Sequence, residues 1–288
     1  LLVTRGSDEA IDLLVRALCV PGQDSIVIQS PTFGMYAVSA RLHACTTVDS
    51  PLREIDSRFD WDIPAMIDAA LNNSSKLLFL CSPANPTGQS LPTEALETLL
   101  RALHGHCLVV VDEAYGEYSR NVSATALLER FSNLAVLKTL SKAQALAGAR
   151  IGCVIADAGL ITVLKACQAP YPISKPSAEI ALAAFAPANL ARTYEGISAC
   201  LGERGRMQEA LTALPVVRRV FESAANFLLV RFDDSAAVCR YLLERGIIVR
   251  AMSQYPAITD CLRISIGTPD ENAALLTALN TFCRDSHA

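Results

Sequence analysis

The sequence predicts an α/β fold: a large layered domain with a mostly parallel central sheet, followed by a smaller C-terminal α+β domain. Three observations predict it. Apolar runs of strand length recur at residues 77–81, 108–111 and 134–137, as expected for strands buried on both faces. Helical patterns fall between such runs, so strand and helix alternate through roughly the first 190 residues. Beyond Pro215 the style changes to closely spaced strands. The expected division is residues 1–200 for the large domain and 201–288 for the small one.

In chain order, Leu1-Leu2-Val3-Thr4 reads as a strand entered in mid-course, with no initiator methionine and no signal peptide, so an N-terminal portion is expected before it. Arg5-Gly6-Ser7-Asp8-Glu9 turns into a helix in which Ile11, Leu14, Val15 and Leu18 form the i, i+3, i+4, i+7 stripe. Asp8 and Glu9 suit the positive end of its dipole, and free N–H groups at such a start can bind phosphate. A plain strand–turn–helix connection would look the same. Pro21-Gly22 ends the helix and residues 25–29 form the next strand. Phe33, in Pro31-Thr32-Phe33-Gly34-Met35-Tyr36, is either a core aromatic or a ring that stacks on a flat cofactor.

A helix is expected over 63–71 and another over 93–103. Between them, strand 77–81 delivers Ser82-Pro83-Ala84-Asn85-Pro86-Thr87-Gly88. An Asn in a turn is commonly structural. Asn85 also lies just beyond a strand's carboxyl end, where open α/β sheets hold their ligands. Strand 108–111 delivers Asp112-Glu113-Ala114-Tyr115. A carboxylate at the end of a buried strand is costly unless paired. Asp112 is either an acidic helix cap or the partner of a cationic ring nitrogen, with Tyr115 three residues on in reach of a phenolic oxygen. Strand 134–137 leads to Lys142, and strand 151–155 follows Arg150.

Pro170-Tyr171-Pro172 breaks the alternation before a long helical stretch over 190–214. Strands are expected at 216–221, 226–232, 247–251 and 261–266, with a helix at 236–245. Thr268, Pro269 and Glu271 mark the last helix start as a capping box. Arg250 and Arg263 both fall on strands, as surface ion pairs or as anion ligands.

The chemistry centres on Thr139-Leu140-Ser141-Lys142-Ala143-Gln144-Ala145-Leu146-Ala147-Gly148-Ala149-Arg150. Between Lys142 and Arg150 only Gln144 is polar, a setting that desolvates the amine and favours its neutral form. A neutral amine forms a Schiff base with a carbonyl. Ser141 and Arg150 are natural phosphate ligands. An aldehyde carrying a phosphate, held by a lysine, describes pyridoxal 5'-phosphate (PLP). Taken alone, the stretch also fits a surface lysine and a salt-bridging arginine.

Composition narrows the classes. The chain is 51% hydrophobic and 19% charged, enough for a large core. A net charge of −4 without a basic block argues against nucleic acid, and no apolar run reaches membrane-spanning length. Ten cysteines are scattered from Cys19 to Cys283 without metal-ligand spacing, and read as free thiols in a reducing cytosol. His43, His104, His106 and His287 fall in no motif; His104 and His106 are expected to flank a helix C-terminus.

Lys142 lies in a stretch that resembles the Ser-Lys-x-x-x-Leu-x-Gly-x-Arg signature of fold-type I PLP aminotransferases. With Thr4-Arg5-Gly6-Ser7-Asp8-Glu9, the Cys81–Gln89 turn, Asp112-Glu113-Ala114-Tyr115, Ala169-Pro170-Tyr171-Pro172 and Cys261-Leu262-Arg263-Ile264-Ser265-Ile266-Gly267-Thr268, nearly the whole chain resembles the histidinol-phosphate aminotransferase family. The resemblance implies a cytoplasmic homodimer of fold type I. It implies transamination between histidinol phosphate and 2-oxoglutarate in histidine biosynthesis. Lys142 would carry PLP and shuttle protons. Ser7, Asp8, Ser141 and Arg150 would meet its phosphate. Phe33 would stack on the ring, Asn85 and Tyr115 would hold the phenolic oxygen, and Asp112 the ring nitrogen. Arg263 would bind the glutamate carboxylate, helped by Arg250.

Two features depart from the family. Gln144 stands where relatives carry an aromatic, a change of packing rather than chemistry. The family's N-terminal arm, which helps close the substrate site and lends a tyrosine to the partner's phosphate pocket, is not in this stretch of chain. The chain as it stands is therefore expected to bind PLP poorly. Alternatives on the same scaffold are an aromatic aminotransferase or a phospho-amino-acid decarboxylase. A non-enzymatic PLP-binding module is disfavoured by the intact Lys142 and Asp112.

Overall fold

A computed structural model describes residues 1–285; His287 lies outside them. In chain order the first part runs β1 (Leu2–Thr4), α1 (Gly6–Leu18), β2 (Ser25–Ile28), α2 (Met35–Leu42), β3 (Thr46–Asp49), the hairpin β4 (Arg53–Ile55) and β5 (Arg58–Asp60), α3 (Ile63–Asn72), β6 (Leu77–Cys81), α4 (Thr93–Ala102), β7 (Leu108–Asp112), β8 (Leu134–Thr139) and β9 (Gly152–Ala156). Then follow α5 (Ala158–Cys167), α6 (Lys175–Ala184), α7 (Pro187–Thr212), β10 (Val217–Val220), β11 (Phe227–Phe232), α8 (Ser235–Leu243), β12 (Arg250–Ala251), β13 (Cys261–Ser265) and α9 (Pro269–Asp285).

The large sheet has seven strands in the order β1-β9-β8-β7-β6-β2-β3. Its middle is parallel. Strand β9 alone runs against its neighbours, antiparallel to both β8 and β1. The apolar runs identified from sequence occupy this buried middle: every residue of Leu77–Cys81 is buried. One face of the sheet packs on α1, α2 and α5 through Ile11, Leu14, Tyr36 and Leu164. The other packs on α3 and α4 through Met66, Leu96, Leu99 and Leu100. Burial on both faces explains why these strands show no polar alternation.

The second sheet, β10-β11-β13-β12, is antiparallel. One face is covered through Met207 and Leu211 of α7, Val238 and Leu242 of α8 and Leu275 and Leu279 of α9. The capping box forms as expected: Thr268 N–H donates to Glu271 Oε2 at 2.7 Å and Glu271 N–H to Thr268 Oγ1 at 3.3 Å. The β4–β5 hairpin, early in the chain, docks on this late sheet. Phe59 packs on Phe221 with ring centroids 5.0 Å apart, and Glu54 accepts from Arg219 at 3.1 Å and from Arg231 at 2.5 and 3.0 Å.

Several elements differ from expectation. The strand expected over 247–251 is paired only at Arg250–Ala251; it follows the Gly246 turn at the sheet's edge, and Ile248 is exposed. Helices α2, α5 and α6 add to the elements expected from the sequence. Helix α6 buries none of its residues, so it carries no core-facing stripe to read. Helix α2 is eight residues long and starts directly after the Pro-Thr-Phe-Gly turn. His104 and His106 do follow the end of α4.

Candidate active site

Ser7, Asp8, Phe33, Asn85, Asp112, Tyr115, Ser141, Lys142, Arg150, Arg250 and Arg263, the residues singled out from sequence, all line one cavity of about 540 Å³. They converge because parallel strands release their chains on the same side. Phe33 follows β2, Asn85 follows β6, Asp112 ends β7 and Lys142 follows β8, the edge at which open α/β sheets bind ligands. Arg250 and Arg263 enter from the second sheet as register partners on β12 and β13.

The start of α1 forms one wall. Gly6 has φ +73°, and a Cβ there would lie 2.6 Å from Arg150 Nη2. Gly152 on β9 is equally constrained, since its Cβ would lie 2.6 Å from the Gly6 carbonyl carbon and 2.7 Å from Ser7 N. Arg150 itself adopts a left-handed backbone, φ 55°, which turns its guanidinium back to Asp8 Oδ2 at 2.9 Å and to the Ala147 carbonyl at 3.1 Å. Ser141 joins the same corner, with Oγ 2.8 Å from Thr139 Oγ1. N–H groups of a helix start, a hydroxyl and a guanidinium therefore share one small concavity, a set suited to a phosphate.

Lys142 is exposed to the cavity, yet its amine is held below the usual lysine pKa. Partial desolvation is the main cause and the cations Arg263 and Arg150 add to it, against the carboxylates Asp8 and Asp112. Its Nζ lies 5.4 Å from the centre of the Tyr115 ring. Tyr115 is buried edge-on against Phe227, 5.1 Å between centroids, and burial pushes its hydroxyl up to about 12.

Asp112 is 2% exposed. Burial pushes its carboxyl up to about 6, opposed by hydrogen bonds from Tyr36 and from the Ala114 N–H. Those bonds measure 2.9 Å from Tyr36 Oη to Oδ2 and 3.0 Å from Ala114 N to Oδ1. Phe33 packs on the core, edge-on to Tyr36, and also lines the cavity. Arg263 Nη1 donates to Asn85 Oδ1 at 2.6 Å.

Two contributors escaped the sequence reading. Tyr36, quoted in its motif without a role, lies behind Asp112. Tyr255 lines the cavity and its hydroxyl donates to the Thr32 carbonyl at 2.8 Å, tying the second sheet to the Phe33 turn. A buried tyrosine needs a partner for its hydroxyl, but the sequence does not say which.

These residues fit the cofactor expected from the sequence. The amine of Lys142 is held below its ordinary pKa, the buried Asp112 carboxylate lines the same cavity, and Ser7, Ser141 and Arg150 offer donors for an anion at one end of it. Among the described residues no group of His, Cys, Asp and Glu could hold a metal ion, and no helix is long and apolar enough to cross a membrane.

The comparisons agree with this architecture. Residues 1–279 match the family model "Aminotransferase class I and II". The chain is 52% identical over 280 residues to a histidinol-phosphate aminotransferase of Stenotrophomonas maltophilia, covering 97% of this chain and 77% of that protein. It is 53% identical over 279 residues to one of Xanthomonas oryzae, with the same shares covered. Among solved structures it is similar to the histidinol-phosphate aminotransferase of Sinorhizobium meliloti in complex with pyridoxal-5'-phosphate, at TM-score 0.87 and 25% identity, covering 99% of this chain and 76% of that one. With the family model spanning nearly the whole chain and relatives at this identity, the chain belongs to the class I and II aminotransferases.

Proposed function

We propose that this chain transfers an amino group between histidinol phosphate and 2-oxoglutarate, forming imidazole-acetol phosphate and glutamate, with PLP as cofactor. The observation that carries the reading is one cavity in which Lys142, Asp112 and the register-paired Arg250 and Arg263 converge. More than half identity to two histidinol-phosphate aminotransferases supports the choice of substrate.

When bound, PLP supplies the carbonyl that exchanges the amino group and the ring that accepts the electron pair. Ser7, Asp8, Ser141 and Arg150 would hold its phosphate. Phe33 would cover one ring face, and Asn85 and Tyr115 would orient its phenolic oxygen. Asp112, ionised, would keep the ring nitrogen protonated. Lys142, its amine held below the ordinary lysine pKa by partial desolvation, would take the proton from the substrate carbon that bears the amino group. Arg263 would bind the glutamate carboxylate through guanidinium donors not used on Asn85. Arg250 has no hydrogen-bond acceptor or ion-pair partner among the described residues, and would serve the anionic end of either substrate.

A homodimer is part of this reading. Leu182 and Phe185 are 74% and 55% exposed, and with Leu1, Val3 and Ile173 they line an apolar cavity of about 530 Å³. Burying such a surface favours association, and sedimentation velocity measures it.

The test is a paired half-reaction. PLP-loaded protein is mixed with glutamate alone or with histidinol phosphate alone, and the keto product is quantified. Stoichiometric 2-oxoglutarate and imidazole-acetol phosphate are expected. Carbon dioxide release from a phosphorylated amino acid, or keto product from aromatic donors only, would move the chain to one of the alternative activities.

A further inference from the structure

We propose that Tyr36 is a positioning residue for the reaction: its buried hydroxyl keeps the Asp112 carboxylate ionised and oriented, from behind, on the side no substrate touches. The proposal rests on the reading of Asp112 as partner of the cofactor's ring nitrogen.

Tyr36 lies on α2 and is fully buried. It does not line the cavity; Asp112 does. Its ring stacks on Phe79 with centroids 4.9 Å apart and planes 10° apart. Phenylalanine would fill that slot without the cost of burying a hydroxyl, so packing alone does not account for the oxygen. That oxygen has a defined partner, donating to Asp112 Oδ2 at 2.9 Å. The Ala114 N–H takes Oδ1 at 3.0 Å. Two donors on two different oxygens fix the plane of the carboxylate, and a carboxylate with about four acceptor sites keeps room for a third donor from the cavity.

The charged and titratable groups around Asp112 make this support consequential. Asp8 on α1 and the neighbouring Glu113 both disfavour its ionised form, as does its burial. Lys142 feels it across the cavity, and Tyr115 shares its strand end. From β6, Cys81 lies beside Tyr36, and burial pushes its thiol up to about 12, so it adds no charge. Tyr36 is itself raised well above its ordinary range and stays a donor at every working pH. Within this surround the Tyr36 hydroxyl and the Ala114 N–H act in favour of the carboxylate.

The experiment uses the full chain with Tyr36→Phe, which keeps the ring and its stacking. The Asp112 carboxyl is titrated without cofactor, by infrared difference spectroscopy with Asp112→Asn identifying the band. Loss of a hydrogen bond to a charged group should raise its midpoint by about one pH unit or more, roughly tenfold in the protonation equilibrium. Site-specific 3-fluorotyrosine at position 36, a stronger donor with the same shape, should move it the opposite way. PLP affinity of Tyr36→Phe should fall most near neutral pH, where only the parent carboxylate is ionised, and recover at higher pH. In an Asp112→Asn background Tyr36→Phe should change nothing further.

An unmoved Asp112 titration would overturn the proposal. So would an affinity loss equal at every pH and unchanged in the Asp112→Asn background, which is the behaviour of a packing residue. The cofactor reading fails separately, through PLP affinity and turnover that are indifferent to Asp112→Asn, while the titration without cofactor still reports on the Tyr36–Asp112 pair.

Discussion

Arg263 and Asn85 are joined by a 2.6 Å hydrogen bond between a guanidinium on the second sheet and a turn at the end of β6. Arg263 also faces Arg250 across the β12–β13 ladder and lies 5.1 Å over the Phe227 ring. One side chain thus links the small sheet, the Asn85 turn and the aromatic wall behind Tyr115.

Replacing Arg263 by alanine is expected to raise the KM for glutamate roughly ten- to hundredfold, the worth of a charge-assisted carboxylate contact of about 1.5–3 kcal/mol. PLP affinity should change much less, because the corner proposed for its phosphate is formed by the start of α1, Ser141 and Arg150. Steady-state kinetics beside a PLP titration separates the two effects. A KM equal to the parent's would locate the carboxylate elsewhere.

Lys142→Ala is expected to abolish turnover and to remove the visible absorbance that depends on a lysine-bound cofactor. Because the amine is held below its ordinary pKa, its protonated form costs folding stability. That cost is fully present below the folded-state pKa and disappears as pH rises through the ordinary lysine value of 10.5. Lys142→Met, without cofactor, should therefore melt no lower than the parent at pH 7. A marked drop in melting temperature would contradict the depressed amine.

Asp112→Asn should cost on the order of 3 kcal/mol or more in transition-state stabilisation, as for other preorganised electrostatic groups. Its effect on stability has the opposite sign. The carboxyl is raised from 3.8 to about 6, so between those values the folded protein binds more protons than the unfolded chain, and stability falls as pH rises. Above pH 6 the buried carboxylate destabilises the cofactor-free protein by about 3 kcal/mol, an order-of-magnitude figure. Urea denaturation at pH 8 should find Asp112→Asn more resistant than the parent, with the gap closing near pH 4. Equal midpoints at both pH values would refute the assignment.

Gly152→Ala should loosen the corner proposed for the phosphate, since its Cβ would lie 2.6 Å from the Gly6 carbonyl carbon. Overpacking against backbone costs about 1–3 kcal/mol, and the displaced start of α1 should weaken PLP binding as well. Gly148→Ala, where a Cβ meets nothing within 4 Å, is the matched control and should leave both properties unchanged. Circular-dichroism melts and PLP titrations of the pair measure this directly.

Sequence alone determined the strands of the parallel middle and the residues that follow them. Burial on both faces leaves an apolar run that can be read locally, and the turns after residues 81, 111 and 139 are where the cavity residues appear. The last helix start was equally legible, because a capping box is closed within four residues. Only the tertiary structure decided the reversal of β9, the docking of the β4–β5 hairpin on a sheet formed over 150 residues later, and the register that sets Arg250 against Arg263. It alone gave Tyr36 a partner 76 positions away and Tyr255 one 223 away. The physical reason is the range of the interactions. Periodicity and capping depend on neighbours within a turn or a strand, whereas a buried hydroxyl, carboxylate or guanidinium is satisfied by whichever group the packed fold brings within hydrogen-bonding distance.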